Sequence, residues 1–499
     1  MMGRRSLLRT AKRRRRSRKP FAFPSVCVPK GLPSQTKQGY HEVSYPRHGE
    51  DPRDVLLYRS NTSIDDLDPC CPPQPQAPCG DSALVRVEMM YAPWNPADTN
   101  TVQGRYPSPY GKSAAAAATG GANRSHGRYF DKDPVIGSEG WGRVTHSVSG
   151  SLPPGTLVAL GLPGLGSLRS SAWVPESAVL PIPEEVSEAL GPAGCSLLQL
   201  GGTALGLLSR FVGLGPGDTV VQNAGNSGVG FLASQMAASP SLFGRHGENN
   251  NNVGGPGAMV SLVRRSGRSR ESFDECVAYL ESVGKNAIVV AEEDFFLEQH
   301  DDGDRKGTID KARVHEMKQK LRMLSPTGSL PKLALNAVGG DSAGLLLKLL
   351  EANAESTMVT YGGMSGRPLA VATPQLVFGD VRLSGYWHSR WMVEQHEQER
   401  SNNHDKGVEN ENSGADRRAE MADTLSRFVL EEGLKCPPAR VFRLEDLQEG
   451  LAWQKANRSA HGSNPGDHRS LFPVRTKLVW DCREQNPDEN NNNNNYGRR

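Results

Sequence analysis

One short stretch limits what this chain can fold into more than any other. Residues 219–230 read TVVQNAGNSGVG: an apolar strand candidate, Thr219–Asn223, runs into a turn holding Gly225, Gly228 and Gly230, and a helix is predicted behind it over Val229–Ala238. A dinucleotide pyrophosphate needs close backbone approach, which glycines permit, and free N–H groups, which a helix N-terminus supplies. The spacing is GxxGxG rather than GxGxxG, so the letters also fit an ordinary tight turn; the strand–turn–helix setting favours the dinucleotide site. Downstream the same alternation continues, with strand candidates at Ala258–Val263, Asn286–Val290, Lys332–Val338, Thr357–Tyr361 and Val381–Trp387 separated by helical stretches. One of those helices carries Phe273, Val277 and Leu280 at i, i+4 and i+7, with Gly284 placed to follow its last turn. Six strands with intervening helices predict an α/β fold with a doubly wound parallel sheet of the Rossmann type.

The second strand bears on which dinucleotide is bound. An NAD site usually places Asp or Glu at the end of that strand, on the ribose 2′-OH. Here Met259–Val263 ends in Arg264, Arg265 and Ser266, without a carboxylate. A guanidinium can grip a 2′-phosphate through two parallel hydrogen bonds. NADPH is therefore expected over NADH, the competing reading being a solvated strand end.

Before residue 190 the period is two. Ala83–Met89 alternates, with Val85, Val87 and Met89 on one face and Arg86 and Glu88 on the other, and apolar runs follow at Gly142–Val148 and Thr156–Leu160. Short strands punctuated by Gly and Pro predict a distorted barrel or sandwich. The uncharged stretch Ala189–Ser209 contains five glycines and a proline. Its broken pattern predicts a buried helix and no membrane span.

Composition explains how much of the chain can pack. Only 36% of the 499 residues are hydrophobic, little for the roughly three domains that length suggests. Low-complexity segments at 113–123, 244–257, 397–418 and 461–469, and the Asn-rich tail after 485, cannot bury enough apolar surface to offset their ordering entropy. Without them and the N-terminal arm, roughly 350 residues remain, which suits two domains. A net charge of +3 gives no global argument for nucleic acid as a partner. The eight cysteines (27, 70, 71, 79, 195, 276, 436 and 482) show no CxxC and no regular spacing, against a disulfide scaffold or a cysteine-rich zinc module. Residues 1–41 hold no Asp or Glu, and Met1–Lys19 carries eight Arg and two Lys without the apolar run of a secretory signal. That composition reads as a mitochondrial transit peptide, with a nuclear or RNA-binding patch as the competing reading of RRRR.

Several segments, in order, carry a resemblance. They are Ala92–Asn100 (APWNPADTN), Gln103–Pro107 (QGRYP), Gly137–Gly140 (GSEG), Pro216–Gly230 (PGDTVVQNAGNSGVG), Leu333–Gly340 (LALNAVGG), Met358–Met364 (MVTYGGM) and Leu383–Trp391 (LSGYWHSRW). Over about residues 40–482, apart from the insertions, the chain resembles the medium-chain dehydrogenase/reductase superfamily, and within it the mitochondrial 2-enoyl thioester reductases. The resemblance implies a GroES-like β-rich catalytic domain split around an inserted Rossmann domain. The expected division is an arm at 1–38, catalytic domain at 39–195 and 385–482, NADPH-binding domain at 196–384 and a tail at 483–499. Zinc members carry Cys and Gly-His-Glu where this chain has Asn95 and Gly137-Ser138-Glu139, and their four-Cys lobe is missing; no metal is expected.

The implied reaction is reduction of a trans-2-enoyl thioester, on coenzyme A or acyl carrier protein, in mitochondrial (matrix) fatty acid synthesis. Hydride adds at C3, a proton at C2, and charge develops on the thioester oxygen in between. Tyr106 matches the family's catalytic tyrosine; a phenol titrates near about 10 and keeps its proton at neutral pH. Trp387 matches an active-site tryptophan. Cofactor contacts carry over to Asn226, Ser227, Gly228 and Val229 at the turn, to Arg264, Arg265 and Ser266 at the 2′-phosphate, although the family has an acidic residue at position 265, and to Tyr361, Gly362, Gly363 and Met364 on the nicotinamide side. Tyr386, Trp387, His388 and Lys477 complete the set. The chain departs from the family at Leu200-Gly201-Gly202, where an Asn-Pro pair is expected before Thr203-Ala204, so one cofactor contact is lost or taken over by water. A homodimer is a family expectation. The alternatives are a zinc-free quinone reductase and, in another class, a catalytically silent binding protein that keeps the fold.

Overall fold

The computed structural model describes residues 40–62, 84–106, 133–239 apart from 149 and 216, 242, 258–297 apart from 266, 267 and 285, 308–404 apart from 354 and 370, 417–459 and 474–483. The basic arm, the Asn-rich tail, the insertions at 113–123 and 461–469, residues 244–257 and most of 397–418 lie outside them. Among the described residues the strands form three sheets. The first is a small antiparallel pair, β1 (Tyr40–Ser44) and β2 (Leu57–Thr62).

The second is a β-rich lobe built on β3 (Leu84–Pro93), which is joined by β4 (Trp141–Ser147), β5 (Leu157–Leu160), β6 (Ser171–Pro175) and β7 (Val179–Pro181). The alternation read at 83–89 is the buried face of β3: Val85, Val87 and Met89 are fully buried.

The third sheet contains β8 (Val220–Asn223), β9 (Met259–Val263), β10 (Ala287–Ala291), β11 (Leu333–Asn336), β12 (Thr357–Thr360) and β13 (Arg382–Gly385). All six expected strands are present. They run parallel in the order β10-β9-β8-β11-β12-β13. This is the doubly wound order, and its direction of winding reverses between β8 and β11. Ligands of such sheets sit at that reversal, beyond the carboxyl ends of the strands.

The chain then returns to the first lobe. β14 (Ala439–Arg443) and β15 (Lys477–Asp481) extend the β-rich sheet, β15 pairing antiparallel with β3 so that Val479 faces Pro93 and Trp480 faces Ala92. This pairing brings Lys477 to the side chain of Asn95, two residues past the end of β3. The largest apolar core is continuous across both lobes, running from Trp94, Trp141 and Trp480 to Val220, Leu333 and Val359.

Two local readings differ. Residues 189–209 do not form one helix: the α-helical turn Glu184–Leu190 is followed by a 3-10 segment (Gly191–Ser196) and a π-type turn (Leu197–Gly201) before the α-helix Gly202–Ser209. Tight packing explains the break, because a Cβ on Gly194 would lie 2.2 Å from the Trp141 ring. Gly284 does not follow its helix but ends it, Arg270–Gly284. Its backbone is not left-handed; it leaves room for Ala287, whose Cβ would sit 2.5 Å from a Cβ at 284. No helix among the described residues is long and apolar enough to cross a membrane.

Candidate active site

The glycine turn lies at the carboxyl end of β8, where the sheet reverses. Ser227 caps the helix Gly228–Ala237, its Oγ accepting from the Gly230 N–H at 3.2 Å. Gly228 and Val229 follow as the first helical residues, whose N–H groups have no partner within a helix. The turn begins at Ala224, a non-glycine residue held at φ 51°, a costly conformation that neighbours must impose. The glycines serve space: a Cβ at Gly230 would lie 2.6 Å from the Ala224 carbonyl oxygen, and one at Gly225 would lie 2.5 Å from Ser261 Cβ on β9. The residues thus fit a dinucleotide pyrophosphate: a capped ten-residue helix behind a backbone stripped of side chains. Asn226, the remaining turn residue, accepts from Arg475 N–H at 3.3 Å.

Two asparagines fix the floor of the crevice. Asn223 ends β8 and donates to Asn336 Oδ1 (2.8 Å) and Ser342 Oγ (2.9 Å), while its own oxygen accepts from Ala337 N–H (2.7 Å). Asn336 ends β11, accepts from the Val338 and Gly339 N–H groups at 3.2 and 3.0 Å, and donates to Thr360 Oγ1 at 3.1 Å. Tyr361, Gly362, Gly363 and Met364 leave β12 beside them. Gly362 passes so close that a Cβ would be 2.8 Å from the Ala337 carbonyl. The Tyr361 hydroxyl is buried toward Ser227, and burial pushes its pKa up.

Tyr106 is presented by the loop behind the helix Pro96–Val102. Gly104 takes φ +66° there, beneath which the His48 ring packs, and the Tyr106 N–H donates to the Asn100 carbonyl at 3.2 Å. Its ring meets Trp387 at 6.0 Å between centroids, tilted by 59°. Two residues that are neighbours only in space, 281 positions apart by number, therefore form one aromatic pair. Residues 107–132, which contain the insertion after Tyr106, lie outside the described residues.

Tyr386 and His388 point elsewhere. The Tyr386 hydroxyl and His388 Nδ1 hydrogen-bond to each other at 3.0 Å. Both rings pack on the glycine face of Gly202–Ser209, where a Cβ at Gly206 would lie 2.2 Å from the Tyr386 hydroxyl and one at Gly202 2.5 Å from His388 Nε2. Burial pushes Tyr386 up to about 12 and His388 down to about 3. Leu200, at the expected asparagine's position, packs against the turn: a Cβ at Gly228 would be 2.9 Å from its Cδ1.

No family model matches the chain. Mitochondrial enoyl-[acyl-carrier-protein] reductase of Xenopus tropicalis is 32% identical over 320 residues, covering 63% of this chain and 72% of that protein. This chain belongs to the mitochondrial enoyl-[acyl-carrier-protein] reductases. The rat member is 29% identical over 375 residues, covering 74% of this chain and 76% of its own. Among solved structures, a mitochondrial 2-enoyl thioester reductase heterodimer from Candida tropicalis overlays with a TM-score of 0.60 at 22% identity, over 89% of this chain and 99% of that one. A quinone oxidoreductase of Pseudomonas syringae shares the fold at a TM-score of 0.53 and 19% identity, over 88% and 99%.

Against that family background, the basic residues after β9 are engaged in a way the sequence did not foretell. Arg264 faces Glu292 at 3.6 Å. Arg265 makes a forked pair with Asp294 at 2.6 and 3.1 Å, and its N–H donates to Glu293 at 3.0 Å. A carboxylate missing from the end of β9 is thus supplied from the end of β10. Ser266 lies outside the described residues. Lys477 donates to Asn95 Oδ1 at 2.6 Å, with its stem beside Gly228. Sequence reasoning assigned no role to Asn223, Asn336, Asp98, Glu139 or Glu292. An asparagine closing each of two apolar strands, VVQN and LALN, was the visible signal for the first pair. Among the described residues no group of three or more His, Cys, Asp or Glu could hold a metal, and the four described cysteines are free and buried.

Proposed function

We propose that this chain catalyses NADPH-dependent reduction of trans-2-enoyl thioesters, carried on coenzyme A or acyl carrier protein, to acyl thioesters in mitochondrial fatty acid synthesis. The observation that carries the reading is the Tyr106–Trp387 pair at 6.0 Å, in a chain whose relatives are named enoyl-[acyl-carrier-protein] reductases. NADPH, when bound, supplies the hydride. Its pyrophosphate meets Asn226, Ser227, Gly228 and Val229 with Lys477. Arg264 and Arg265 meet the 2′-phosphate by exchanging their acidic partners for it, together with Ser266. Tyr361, Gly362, Gly363 and Met364 line the nicotinamide side, and the backbone of Tyr386, Trp387 and His388 completes it. The Tyr106 hydroxyl donates to the thioester oxygen as negative charge develops there, and Trp387 forms the apolar wall that excludes water. The catalytic domain comprises 39–195 and 385–482, the NADPH-binding domain 196–384, flanked by a transit arm at 1–38 and a tail at 483–499; the destination is the mitochondrial matrix.

The chain works as a homodimer through β13. That edge strand is exposed, and with Phe378 (83% exposed), Val377 (62%) and Leu383 (39%) it offers unpaired backbone beside apolar surface. A second copy would continue the sheet, and Phe378→Asp is expected to yield monomers in sedimentation.

The decisive experiment follows NADPH oxidation with 2-enoyl-CoAs of several lengths and with a quinone. Turnover of the enoyl thioesters, reduced about a hundredfold or more in Tyr106→Phe, is expected, the size of one lost oxyanion donor. Quinone turnover alone would replace the reading, and an unchanged rate in Tyr106→Phe would remove the tyrosine from it.

A further inference from the structure

Beside the glycine turn, two buried carboxylates and a half-buried lysine meet around Asn95. Asp98 and Glu139 are 2% and 3% exposed, and Lys477 reaches Asn95, which bonds to both, from the start of β15. We propose that Glu139, acting through the Asn95 amide, is a positioning residue that holds the Lys477 ammonium at the glycine turn and so sets the grip on the dinucleotide. This rests on the reading that the dinucleotide binds at that turn.

The argument is one of hydrogen-bond polarity. An ammonium has donors only, an ionised carboxylate acceptors only, and an amide one end of each kind. Asn95 Nδ2 donates to Glu139 Oε1 at 2.7 Å, and Asn95 Oδ1 accepts from Lys477 Nζ at 2.6 Å. Burial pushes the Glu139 carboxyl up, and the Asn95 hydrogen bond and the Lys477 charge push it back; in its ionised form it dictates which end of the amide faces the lysine. A glutamine there could donate to Asn95 instead, letting the amide turn over and press its NH2 against the ammonium.

The rest of the cluster removes other freedoms. Glu139 Oε2 accepts from Gln199 N–H at 3.0 Å, tying it to the π-type turn that carries Leu200. Asn95 N–H donates to Asp98 Oδ2 at 2.7 Å, and Ser138 Oγ donates to Asp98 Oδ1 at 3.0 Å. The Lys477 stem lies against the turn: a Cβ on Gly228 would be 3.5 Å from Lys477 Cε. Among the described residues one hydrogen bond engages the three ammonium donors, which leaves donors for an anionic ligand.

The titratable groups around Lys477 are Glu139, Asp98, Cys195 and Cys436. Burial pushes the lysine down, and Glu139 is the first neighbour opposing that. Because an anion is gripped by the charged form, binding weakens as pH rises through the lysine's pKa. Removing Glu139 moves that alkaline limb to lower pH.

The test uses the full chain, with NADPH affinity read from nicotinamide fluorescence across pH. Wild type is compared with Glu139→Gln, Lys477→Met and the double variant. Glu139→Gln should weaken binding about tenfold at neutral pH, one charge-assisted hydrogen bond's worth, and shift the alkaline limb downward. On the Lys477→Met background it should add nothing. An equal loss on both backgrounds, or an unmoved limb, overturns the proposal. If Glu139→Gln does not fold, Asn95→Ala, which cuts the relay and keeps both charges, must show the same dependence on Lys477. Wild type that binds NADPH yet turns over no enoyl thioester would sink the reaction while leaving this test valid; wild type that binds no NADPH sinks both.

Discussion

Two bases withdrawn from solvent, Lys477 partly and His388 almost fully, meet opposite surroundings. Lys477 has Glu139 and Asp98 as neighbours and an amide oxygen as its acceptor. His388 has the Arg210 guanidinium nearby, which itself stacks 3.9 Å over Trp391, and the Tyr386 hydroxyl. Burial disfavours the charged form of both. At Lys477 the carboxylates oppose burial; at His388 the arginine adds to it, and the imidazole stays neutral down to about 3. One is suited to grip an anion. The other serves as shape, filling the gap left by Gly202 as Tyr386 fills that at Gly206, and so orienting the segment whose next-door residue, Trp387, turns the other way toward Tyr106.

The comparison breaks most easily at the lysine. Lys477→Met is expected to weaken NADPH binding about a hundredfold, the upper range for a bond to a charged group. Arg265→Ala, removing a cation half exposed beside Asp294, should cost less and leave NADH binding unchanged; equal losses in fluorescence titrations would mean burial makes no difference. Next in size, Gly202→Ala drives a methyl to 2.5 Å from His388 Nε2 and 2.8 Å from Met421 Sδ. About 1–3 kcal/mol of stability should be lost to overpacking, partly restored in the double variant with His388→Ala, as denaturant titration would report.

The histidine's neutrality gives a pH signature. Below about 6.5 the unfolded chain protonates this residue and the folded chain does not. Its contribution is therefore complete above that pH and is lost as pH falls toward about 3. The slope is about 1.4 kcal/mol per pH unit, and it should be missing from His388→Gln when unfolding is measured across that range. The smallest effect is at the surface: Asp294→Asn frees Arg265 and should improve NADPH affinity about twofold at low salt, vanishing at high salt.

The six parallel strands were legible because apolar runs of that length must be buried on both faces, and the helices between them leave few other topologies. The turn at 224–230 was legible because three glycines fall within six residues between a strand and a helix. The pair Tyr106–Trp387 was legible through resemblance; no periodicity links positions in different lobes. The charge partners were not legible at all. Glu292, Glu293 and Asp294 follow a different strand from Arg264 and Arg265, and only the parallel pairing of β9 with β10 sets them side by side.

What the sequence by itself determined is local: where strands and helices lie, where the backbone is bare enough for a phosphate, and the absence of zinc-type ligands at 95 and 138. What only the tertiary structure decided is which charges meet. Asn95, Glu139 and Lys477 come from three separate stretches of chain and meet because β4 and β15 both pair with β3. Hydrogen bonds and ionisation depend on contact distance and burial, and neither can be read from the order of residues.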